Sequence, residues 1–455
     1  MNFKLKYGLL YLIVIHGTMV YGQIHPNPDI LSNEKWGIAG AMEYSMKRLQ
    51  LDKWYPNSMD TINGGFHTSY TYDFKPGDKS DKMIVTQSRH TWVNAKVMEL
   101  YPQIKYFRKG ADHGFQFLKK VMWDSVYGGF FSLVDQKGVP IVNSSVQKDA
   151  YGNAFAIYAL AAYYKATANP EALALVRKAF LWLEKHSHDP VHKGYFQHLQ
   201  RDGTPIRRTA DIPSTSDLGY KDQNSSIHLL EAFTELYQVM PDPLVRERLN
   251  EMFLLIRDRI TTPRGNLVLF FYPDWKPVSF RDKDVKTILK HRNLDHVSFG
   301  HDVETAYLLW EASQALGIPN DTVTLRVMKR MVDHALHNGW DNELAGFYDE
   351  GYYFKGDSTI TIIRKTKNWW AQAEGLNSLL MMASLFPEDS TFYYIRFKQL
   401  WDYTRLYLID QKYGGWFEGG LDKQPELRYA LKGHIWKGTY HAFRALSNCI
   451  ERLRK

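Results

Sequence analysis

Three histidines lie in segments whose neighbours could support chemistry. His301 follows Gly300 at the start of an apolar helical pattern, which places it near a helix N-terminus. The helix dipole there disfavours imidazolium and keeps the ring available as a neutral base. His441 follows Trp436 within one short aromatic segment, and His228 lies in an otherwise apolar stretch. Each is a candidate general base, or alternatively a helix cap or a core residue satisfied by its neighbours.

Carboxylate and amide side chains share helix faces with two of these histidines. Glu304 comes three residues after His301, a spacing that a helix brings to one face. Asn224, His228 and Glu231 are spaced by four and then three residues, so they form a polar stripe on an apolar helix. Buried polar groups need partners. Those partners are either each other or a bound ligand that carries hydroxyl groups.

Arginine and tryptophan side chains add features typical of a sugar site. As a fixed cation, Arg89 could hold a sugar oxygen or a neighbouring carboxylate. Trp369 and Trp370 precede Glu374 in one segment, which combines stacking surfaces with a carboxylate. Core packing around a buried ion pair is the alternative interpretation of that segment.

Other functional classes lack their characteristic patterns. The net charge of +8 is modest for 455 residues and no block of Lys and Arg is present, so we expect no nucleic-acid partner. The chain has no HExxH, P-loop or GxSxG motif. The histidines between residues 186 and 198 have no standard metal-ligand spacing, and their Pro- and Gly-containing loop suggests exposure to solvent. We therefore expect no cofactor and no bound metal.

The N-terminus has the pattern of an export signal. A positively charged start precedes a mostly apolar run from Tyr7 to Ile15, and a suitable cleavage region precedes Gln23. The run is too short and too interrupted for a membrane span. We expect residues 1–22 to be removed. The mature chain, residues 23–455, is expected to be periplasmic or secreted, without a membrane span, and a monomer.

The single cysteine, Cys449, rules out an internal disulfide. Its apolar neighbours favour a buried structural role. The exported chain must therefore be held together by its core, and its 44% of hydrophobic residues are enough to form one.

A turn in which glycine precedes apolar residues recurs along the chain, at spacings of roughly 64 to 81 residues. A repeat of this kind indicates a repeated supersecondary unit. The turns contain Gly65, Gly129, Gly194, Gly265 (a degenerate copy), Gly346 and Gly415. Six similar units therefore fit the chain.

Two kinds of helical pattern alternate between these turns. Tyr151 to Thr167 is almost wholly apolar and belongs inside, whereas Leu173 to Lys185 is amphipathic and belongs outside. Two helices in each of six units predict an all-α (α/α)6 barrel of six helix pairs in a single domain. An open solenoid of helix pairs is the structural alternative. Short β-hairpins are expected after two of the turns, at residues 129–135 and 415–419.

Six segments together resemble the N-acylglucosamine 2-epimerase superfamily, and most closely its cellobiose 2-epimerase branch. The resemblance extends over residues 36–445, nearly the whole mature chain. Its signal is the joint presence of the segments in this order. They are SRHTW (Ser88 to Trp92), KDAYGNAFAIYAL (Lys148 to Leu160), NSSIHLLEAFTELY (Asn224 to Tyr237), GHDVETAYLLWEA (Gly300 to Ala312), NWWAQAEGL (Asn368 to Leu376) and WKGTYHAFRAL (Trp436 to Leu446).

The resemblance implies a barrel whose inner helices line a deep pocket. It implies that His301 and His441 are the paired acid/base catalysts, and that His228 assists ring opening and steadies the carbonyl oxygen. A charged segment at residues 281–294 matches nothing in the family, which leaves the pocket rim and the substrate length open. The positions that match substrate-binding residues are Arg89, Tyr151, Asn224, Glu304, Trp369, Trp370, Glu374 and Trp436.

The reaction implied by this resemblance is epimerisation at C2 of the reducing-end sugar of a β-1,4-linked disaccharide, from cellobiose to glucosyl-mannose. Ring opening places the C2 proton next to an aldehyde, and its removal gives an enediolate. Returning the proton to the opposite face requires a base on each side, which agrees with two catalytic histidines. Arg89 could stabilise the enediolate oxygens. The reaction needs neither a metal nor a nicotinamide.

Alternative functions stay open from the sequence. Mannobiose could replace cellobiose, and an isomerase that converts mannose to fructose uses nearly the same residues. A glycoside hydrolase on the same barrel would need two carboxylates, for which Glu304 and Glu374 are available. A non-catalytic sugar-binding protein would need only Arg89 and the tryptophans.

Overall fold

The computed structural model describes residues 28–78, 80–142 and 146–455, so the predicted export signal at residues 1–22 lies outside the described residues. The described part is mostly helical. Its α-helices are α1 (Pro28–Tyr44), α2 (Asp52–Ser58), α3 (Ile84–Leu100), α4 (Lys105–Phe117), α5 (Ala150–Thr167), α6 (Pro170–His186), α7 (Gln223–Val239), α8 (Pro243–Leu255), α9 (Val285–Lys290), α10 (Arg292–Asp295), α11 (Phe299–Leu316), α12 (Thr322–Asn338), α13 (Trp369–Leu385), α14 (Ser390–Tyr403) and α15 (Tyr440–Leu453).

Short helical turns and strands complete the described structure. π-helical turns span Ser45–Leu51, Leu118–Met122, Ile256–Ile260 and Thr404–Leu408, and 3₁₀ turns span Pro387–Asp389 and Pro425–Tyr429. The strands are β1 (Lys82–Met83), β2 (Leu133–Val134), β3 (Lys148–Asp149), β4 (His198–Leu199), β5 (Lys221–Asp222), β6 (Phe270–Phe271), β7 (Val297–Ser298), β8 (Glu350–Tyr352) and β9 (Thr361–Arg364). Within the described ranges, every helix is too short or too polar to cross a bilayer.

Six helices form a closed inner ring in the order α3, α5, α7, α11, α13 and α15. Their outer partners are α4, α6, α8, α12, α14 and, for α15, α1. Helix α5 shows why a helix enters the ring, because its residues from Ala150 to Tyr163 are all buried. The ring closes where Trp92 of α3 packs edge-on against Tyr440 and Phe443 of α15, with ring centroids 5.1 and 6.1 Å apart. The predicted (α/α)6 barrel is confirmed, and the open solenoid is wrong.

A buried aspartate–lysine pair closes five of the six glycine turns. In the third turn, Asp189 Oδ1 accepts the backbone N–H groups of Val191 and His192, and Asp189 Oδ2 accepts a hydrogen bond from Lys221 Nζ at 2.8 Å. Lys221 lies in β5, directly before α7, so this pair ties the turn to the start of an inner helix. The equivalent pairs are Asp60–Lys82 (2.7 Å), Asp124–Lys148 (3.0 Å), Asp341–Lys367 (2.7 Å) and Asp410–Lys432 (2.8 Å).

The fourth unit lacks both members of this pair. Thr262 occupies the aspartate position, and Val297 occupies the lysine position in β7. A lone buried charge destabilises a fold much more than the absence of the whole pair. Loss of both members together is therefore less destabilising than loss of one. The unit without the pair is the one that contains the degenerate turn at Gly265.

The predicted hairpins differ from the observed strand pairing. Within residues 129–135, the only strand is Leu133–Val134, and it pairs with Lys82–Met83 rather than with a neighbour in sequence. Residues 415–419 are all described and contain isolated bridges instead of a strand. A hairpin does join β8 and β9, within the three-stranded sheet β7–β8–β9. The partner of a two-residue strand depends on which loops the barrel brings together, so local patterning does not identify it.

Cys449 is buried on α15, which confirms its predicted structural position. Burial raises the pKa of its thiol to about 12. Because the thiolate is the reactive form, this thiol is inert near neutral pH.

We predict that Lys221→Met lowers the free energy of unfolding by about 3 kcal/mol, because Asp189 then stays buried without its cation. Asp189→Thr combined with Lys221→Val, the combination found in the fourth unit, should recover part of that loss. Urea unfolding followed by tryptophan fluorescence measures both variants. The control is Lys137→Met, which changes an exposed lysine. A double variant less stable than Lys221→Met would contradict the role of the pair.

Candidate active site

The predicted site residues converge at one end of the inner ring. All of those that lie on helices occupy the first three turns of an inner helix. They are Arg89 on α3, Tyr151 on α5, Asn224 and His228 on α7, His301 and Glu304 on α11, Trp369, Trp370 and Glu374 on α13, and His441 on α15. Trp436 lies in the segment directly before α15.

Arg444, in the second turn of α15, joins these helices at the barrel axis. Its Nη2 donates to Glu304 Oε1 at 2.7 Å and lies 2.8 Å from Glu374 Oε1, and its Nη1 donates to Glu231 Oε1. The three carboxylates come from α11, α13 and α7, and all four side chains are at most 3% exposed. We call Arg444 and its three carboxylates the arginine cluster. Arg444 could not be predicted as a site residue, because no local sequence feature distinguishes it from a surface arginine.

Charge balance in the arginine cluster controls the protonation of its members. Burial raises the pKa of Glu231, but the charge of Arg444 and hydrogen bonds from His228 and Tyr440 outweigh that effect and hold the pKa at about 2. Burial raises the pKa of Glu374, even though Arg444 acts in the opposite direction. Burial by itself would lower the pKa of Arg444, yet the surrounding carboxylates raise it well above its usual value. Arg444 is therefore a permanent cation.

Two of the three histidines are hydrogen bonded to carboxylates of this cluster. His441 Nδ1 lies 2.7 Å from Glu374 Oε1, and His228 Nδ1 lies 2.8 Å from Glu231 Oε2. Glu231, with a pKa of about 2, is an ionised carboxylate that only accepts hydrogen bonds, so Nδ1 of His228 carries the proton and its Nε2 keeps the lone pair. Burial lowers the pKa of His441 well below its usual value. The charge of Arg89 lowers this pKa further, and the charge of Glu304 acts in the opposite direction without reversing the shift.

His301 has a different support. Its Nδ1 lies 2.8 Å from the hydroxyl oxygen of Ser298, which ends the strand before α11, so its partner is neutral. Burial lowers the pKa of His301 to about 3, in keeping with the neutral base expected at a helix N-terminus. The ring of Trp370 contacts both histidines of the pair, with centroids 4.7 Å from His301 and 6.0 Å from His441. The two histidines are thus close neighbours of one aromatic surface.

Arg89 is a cation without a carboxylate partner among the described residues. Its Nη2 donates to the Tyr151 hydroxyl at 3.2 Å, and its Nη1 donates to the backbone carbonyl of Trp436 at 3.4 Å. The guanidinium lies over the rings of Phe155 and Tyr440, 4.4 and 4.9 Å from their centroids. Within the described ranges, its Nε has no hydrogen-bond partner. Of the two interpretations of Arg89, pairing with a neighbouring carboxylate is wrong, and its charge is free to hold a ligand oxygen.

Tyr151 connects this cation to the polar stripe on α7. Its hydroxyl is hydrogen bonded to the Asn224 side chain, and its ring packs edge-on against His228 with centroids 5.2 Å apart. Burial raises the pKa of Tyr151, so the phenol stays protonated near neutral pH. Arg89, Tyr151, Asn224 and His228 therefore form one continuous polar surface.

The two other tryptophans differ in their surroundings from Trp370. Trp369 is buried, with its ring 5.1 Å from Lys437 Nζ and 6.3 Å from the ring of His434. Burial lowers the pKa of Lys437 to about 7. Trp436 is 52% exposed, and its backbone carbonyl is the group that contacts Arg89. Trp370 and Trp436 are consequently the better placed stacking surfaces, whereas Trp369 supports the segment before α15.

Residue types that bind metals also occur here. One ligand atom from each of Glu304, Glu374 and His441 lies within 4.8 Å of the others. Arg444 contacts both carboxylates, so a cation of the protein already neutralises this group. A divalent ion would have to compete with that guanidinium.

The histidines between residues 186 and 198 do not share a common centre. His188 Nε2 lies 2.9 Å from Glu251 Oε1, whereas the ring of His186 stacks on Trp182 with centroids 5.0 Å apart. The expectation that this loop is exposed is wrong for His188, whose side chain is 7% exposed. Glu251 reaches it from α8, an element that the local sequence does not reveal.

Comparisons with known proteins agree with the sequence motifs. Residues 64–445 match the family model of N-acylglucosamine 2-epimerase (GlcNAc 2-epimerase). A cellobiose 2-epimerase of Bacteroides fragilis is 27% identical over 414 residues, covering 89% of this chain and 95% of that protein. The solved structure of a cellobiose 2-epimerase from Spirochaeta thermophila has a TM-score of 0.78 and 29% identity, covering 94% of this chain and 99% of that one. A D-mannose isomerase of Thermobifida fusca is 25% identical over 378 residues, covering 81% of this chain and 86% of that protein.

We predict that Arg444→Met destabilises the protein by about 3–5 kcal/mol near neutral pH, because three buried carboxylates lose their cation. Without Arg444 the folded-state pKa of these carboxyls rises above the unfolded value. The folded state then binds more protons, so the loss should grow as the pH rises from about 4 to 8. In the native protein, Glu231 gives the free energy of unfolding the opposite pH dependence. Because its pKa is about 2, its stabilising contribution is present at neutral pH and is lost only as the pH falls below about 4.

Urea unfolding at several pH values measures this loss. The control is Arg452→Met on the same helix, since Arg452 is hydrogen bonded to the neutral side chain of Asn377. Equal losses in the two variants, or a loss that does not change with pH, would be incompatible with a charge-balancing role of Arg444.

Proposed function

The chain belongs to the N-acylglucosamine 2-epimerase family and is a carbohydrate epimerase or isomerase, and we propose that it epimerises C2 of the reducing-end sugar of cellobiose. The observation that carries this proposal is the pair His301 and His441. Both rings contact Trp370, and their supports differ. The cellobiose 2-epimerases among its relatives support the choice of substrate.

The reaction needs one proton to leave C2 and one to return from the other side. In the open-chain sugar, a base removes the C2 proton, the C–H electron pair forms the C1=C2 bond, and the carbonyl electrons move to O1. The enediolate is planar at C2. An acid on the opposite face then donates a proton to C2 as the carbonyl forms again. The product is the 2-epimer, glucosyl-mannose, and atoms and charge balance.

The supports of the two histidines suggest different roles. His301, with a hydroxyl partner and a pKa of about 3, is a neutral base that removes the C2 proton of the glucose-type sugar. His441, whose Nδ1 is hydrogen bonded to Glu374, is then the group that returns a proton to C2 from the other face. The reverse reaction exchanges the two roles.

The remaining polar surface suits the carbonyl oxygen. Arg89 has free donors and no carboxylate partner in the described structure, so it can stabilise the negative charge that develops on O1 or O2. His228, with a proton on Nδ1 held by Glu231, offers Nε2 to a sugar hydroxyl during ring opening. Tyr151 and Asn224 extend this surface toward further hydroxyl groups. The proposed chemistry uses no metal and no nicotinamide.

Isomerisation to a ketose is the second candidate, because a D-mannose isomerase is among the relatives. It shares the enediolate and differs in returning the proton to C1. A glycoside hydrolase is less compatible with the geometry. Glu304 and Glu374 both contact one nitrogen of Arg444, at 2.7 and 2.8 Å, and are at most 1% exposed, so they are not free to act across a glycosidic bond.

Proton NMR of cellobiose incubated with the protein in D2O and EDTA tests the proposal. We predict glucosyl-mannose that carries deuterium at C2, formed without a metal. His301→Ala and His441→Ala should each slow this conversion by about 10³-fold or more, because each removes a proton-transfer group. The control His192→Ala changes an exposed histidine and should leave the rate unchanged.

The same experiment distinguishes the alternative reactions and substrates. Ketose signals would favour the isomerase, turnover of mannobiose or mannose alone would change the substrate, and release of glucose would indicate a hydrolase. Full activity in either variant whose circular dichroism shows a native fold would refute the assignment of two bases.

A further inference from the structure

A groove with a volume of about 580 Å³ lies on the outer surface of the fourth unit, and its lining includes none of the active-site residues named above. Three elements line it: the glycine turn at Arg264, the face of α12, and the β8–β9 turn at Ser358 and Thr359. We call it the basic groove, because its lining contains four cationic side chains. They are Arg264, Arg326, Lys329 and Arg330.

Three of these four cations lack a counter-charge. Lys329 is neutralised, because its Nζ lies 2.7 Å from Asp333 Oδ2 and 3.1 Å from Asp389 Oδ2. Across the part of the chain that the structure describes, the groove's guanidinium groups without a carboxylate partner are those of Arg264, Arg326 and Arg330.

The neighbouring outer helix shows the opposite arrangement. On α8, Arg248 lies 2.7 Å from Glu184 and 3.1 Å from Glu251, so its charge is compensated within the protein. In the basic groove, Arg326 and Arg330 are one helical turn apart on α12, a spacing at which like charges repel. An anion bound between them would remove that repulsion.

Contacts to neutral groups orient the guanidinium groups. Arg264 lies over the ring of Tyr353 at 4.2 Å, and the Tyr353 hydroxyl is in turn 2.8 Å from His334 Nε2. Arg326 Nε donates to the backbone carbonyl of Thr322 at 3.1 Å. An arginine has five N–H donors, so most donors of both side chains stay available. The exposed side chains of Ser358 and Thr359 add hydroxyl groups.

We propose that the basic groove binds a phosphate group. A phosphate near neutral pH carries a charge of about −1.5 to −2 and several strong acceptor oxygens, which matches several arginines together with hydroxyl donors. A carboxylate is satisfied by a single guanidinium through two parallel hydrogen bonds, so it would leave the other arginines uncompensated. All three unpaired arginines are exposed to solvent. The organic part of a phosphate monoester could therefore extend from the groove into solvent.

Isothermal titration calorimetry of the full chain at low ionic strength and pH 7.5 tests this site. The probes are inorganic phosphate and methyl phosphate, with acetate as the monovalent control. We expect saturable binding of a phosphate probe, weakened at least about tenfold by Arg264→Gln combined with Arg330→Gln and also by Arg326→Gln. Arg177→Gln, which changes an exposed arginine of α6 outside the basic groove, should leave the affinity unchanged.

The two probes distinguish the source of the phosphate. Binding of methyl phosphate at least as tight as that of inorganic phosphate would support a monoester ligand, and binding of inorganic phosphate alone would support the free anion. The proposal is overturned by the absence of saturable binding, by equal affinity for acetate, or by undiminished binding in the variants of the groove.

Discussion

The interaction on which the site depends is the contact of one buried guanidinium with three buried carboxylates. Arg444 reaches Glu231, Glu304 and Glu374 from the barrel axis and thereby connects four of the six inner helices. Removing charged groups from water costs free energy that their mutual attraction recovers only in good geometry. The arginine cluster is therefore better understood as a device for position and charge than as a source of stability. Its carboxylates Glu231 and Glu374 are the partners of His228 and His441.

The loops at the same end of the barrel also position the site residues, through buried aspartate–lysine pairs. A buried lysine anchors five of the six glycine turns, and in four of these units the lysine lies directly before an inner helix, as Lys221 does for the turn at Asp189. The site residues occupy the first turns of the inner helices. The ion pairs therefore help to fix where along the barrel these helices begin, and with that the positions of the site residues. His301 belongs to the unit without such a pair, and there the support is the hydroxyl of Ser298.

Much of this arrangement could be predicted from the sequence, because it depends on local spacing. The almost wholly apolar sequence of α5 predicted an inner helix, and the spacing of His228 and Glu231 placed them on one face, where they are hydrogen bonded. Arg444 could not be predicted in the same way, since Glu231 and Glu304 lie 213 and 140 residues away from it in sequence. The predictions of the strand partners and of an exposed His188 were wrong for the same reason. Contacts between distant segments exist only once the barrel has closed.

If His301 and His441 act on opposite faces of C2, each single variant should exchange the C2 proton of a different sugar with solvent. In D2O, His441→Ala should exchange the C2 proton of cellobiose for deuterium without forming glucosyl-mannose, because His301 still removes and returns a proton on one face. His301→Ala should show the complementary result, exchange at C2 of glucosyl-mannose without formation of cellobiose. Exchange of the same sugar by both variants, or epimerisation by either variant as fast as its exchange, would be incompatible with one base on each face of C2.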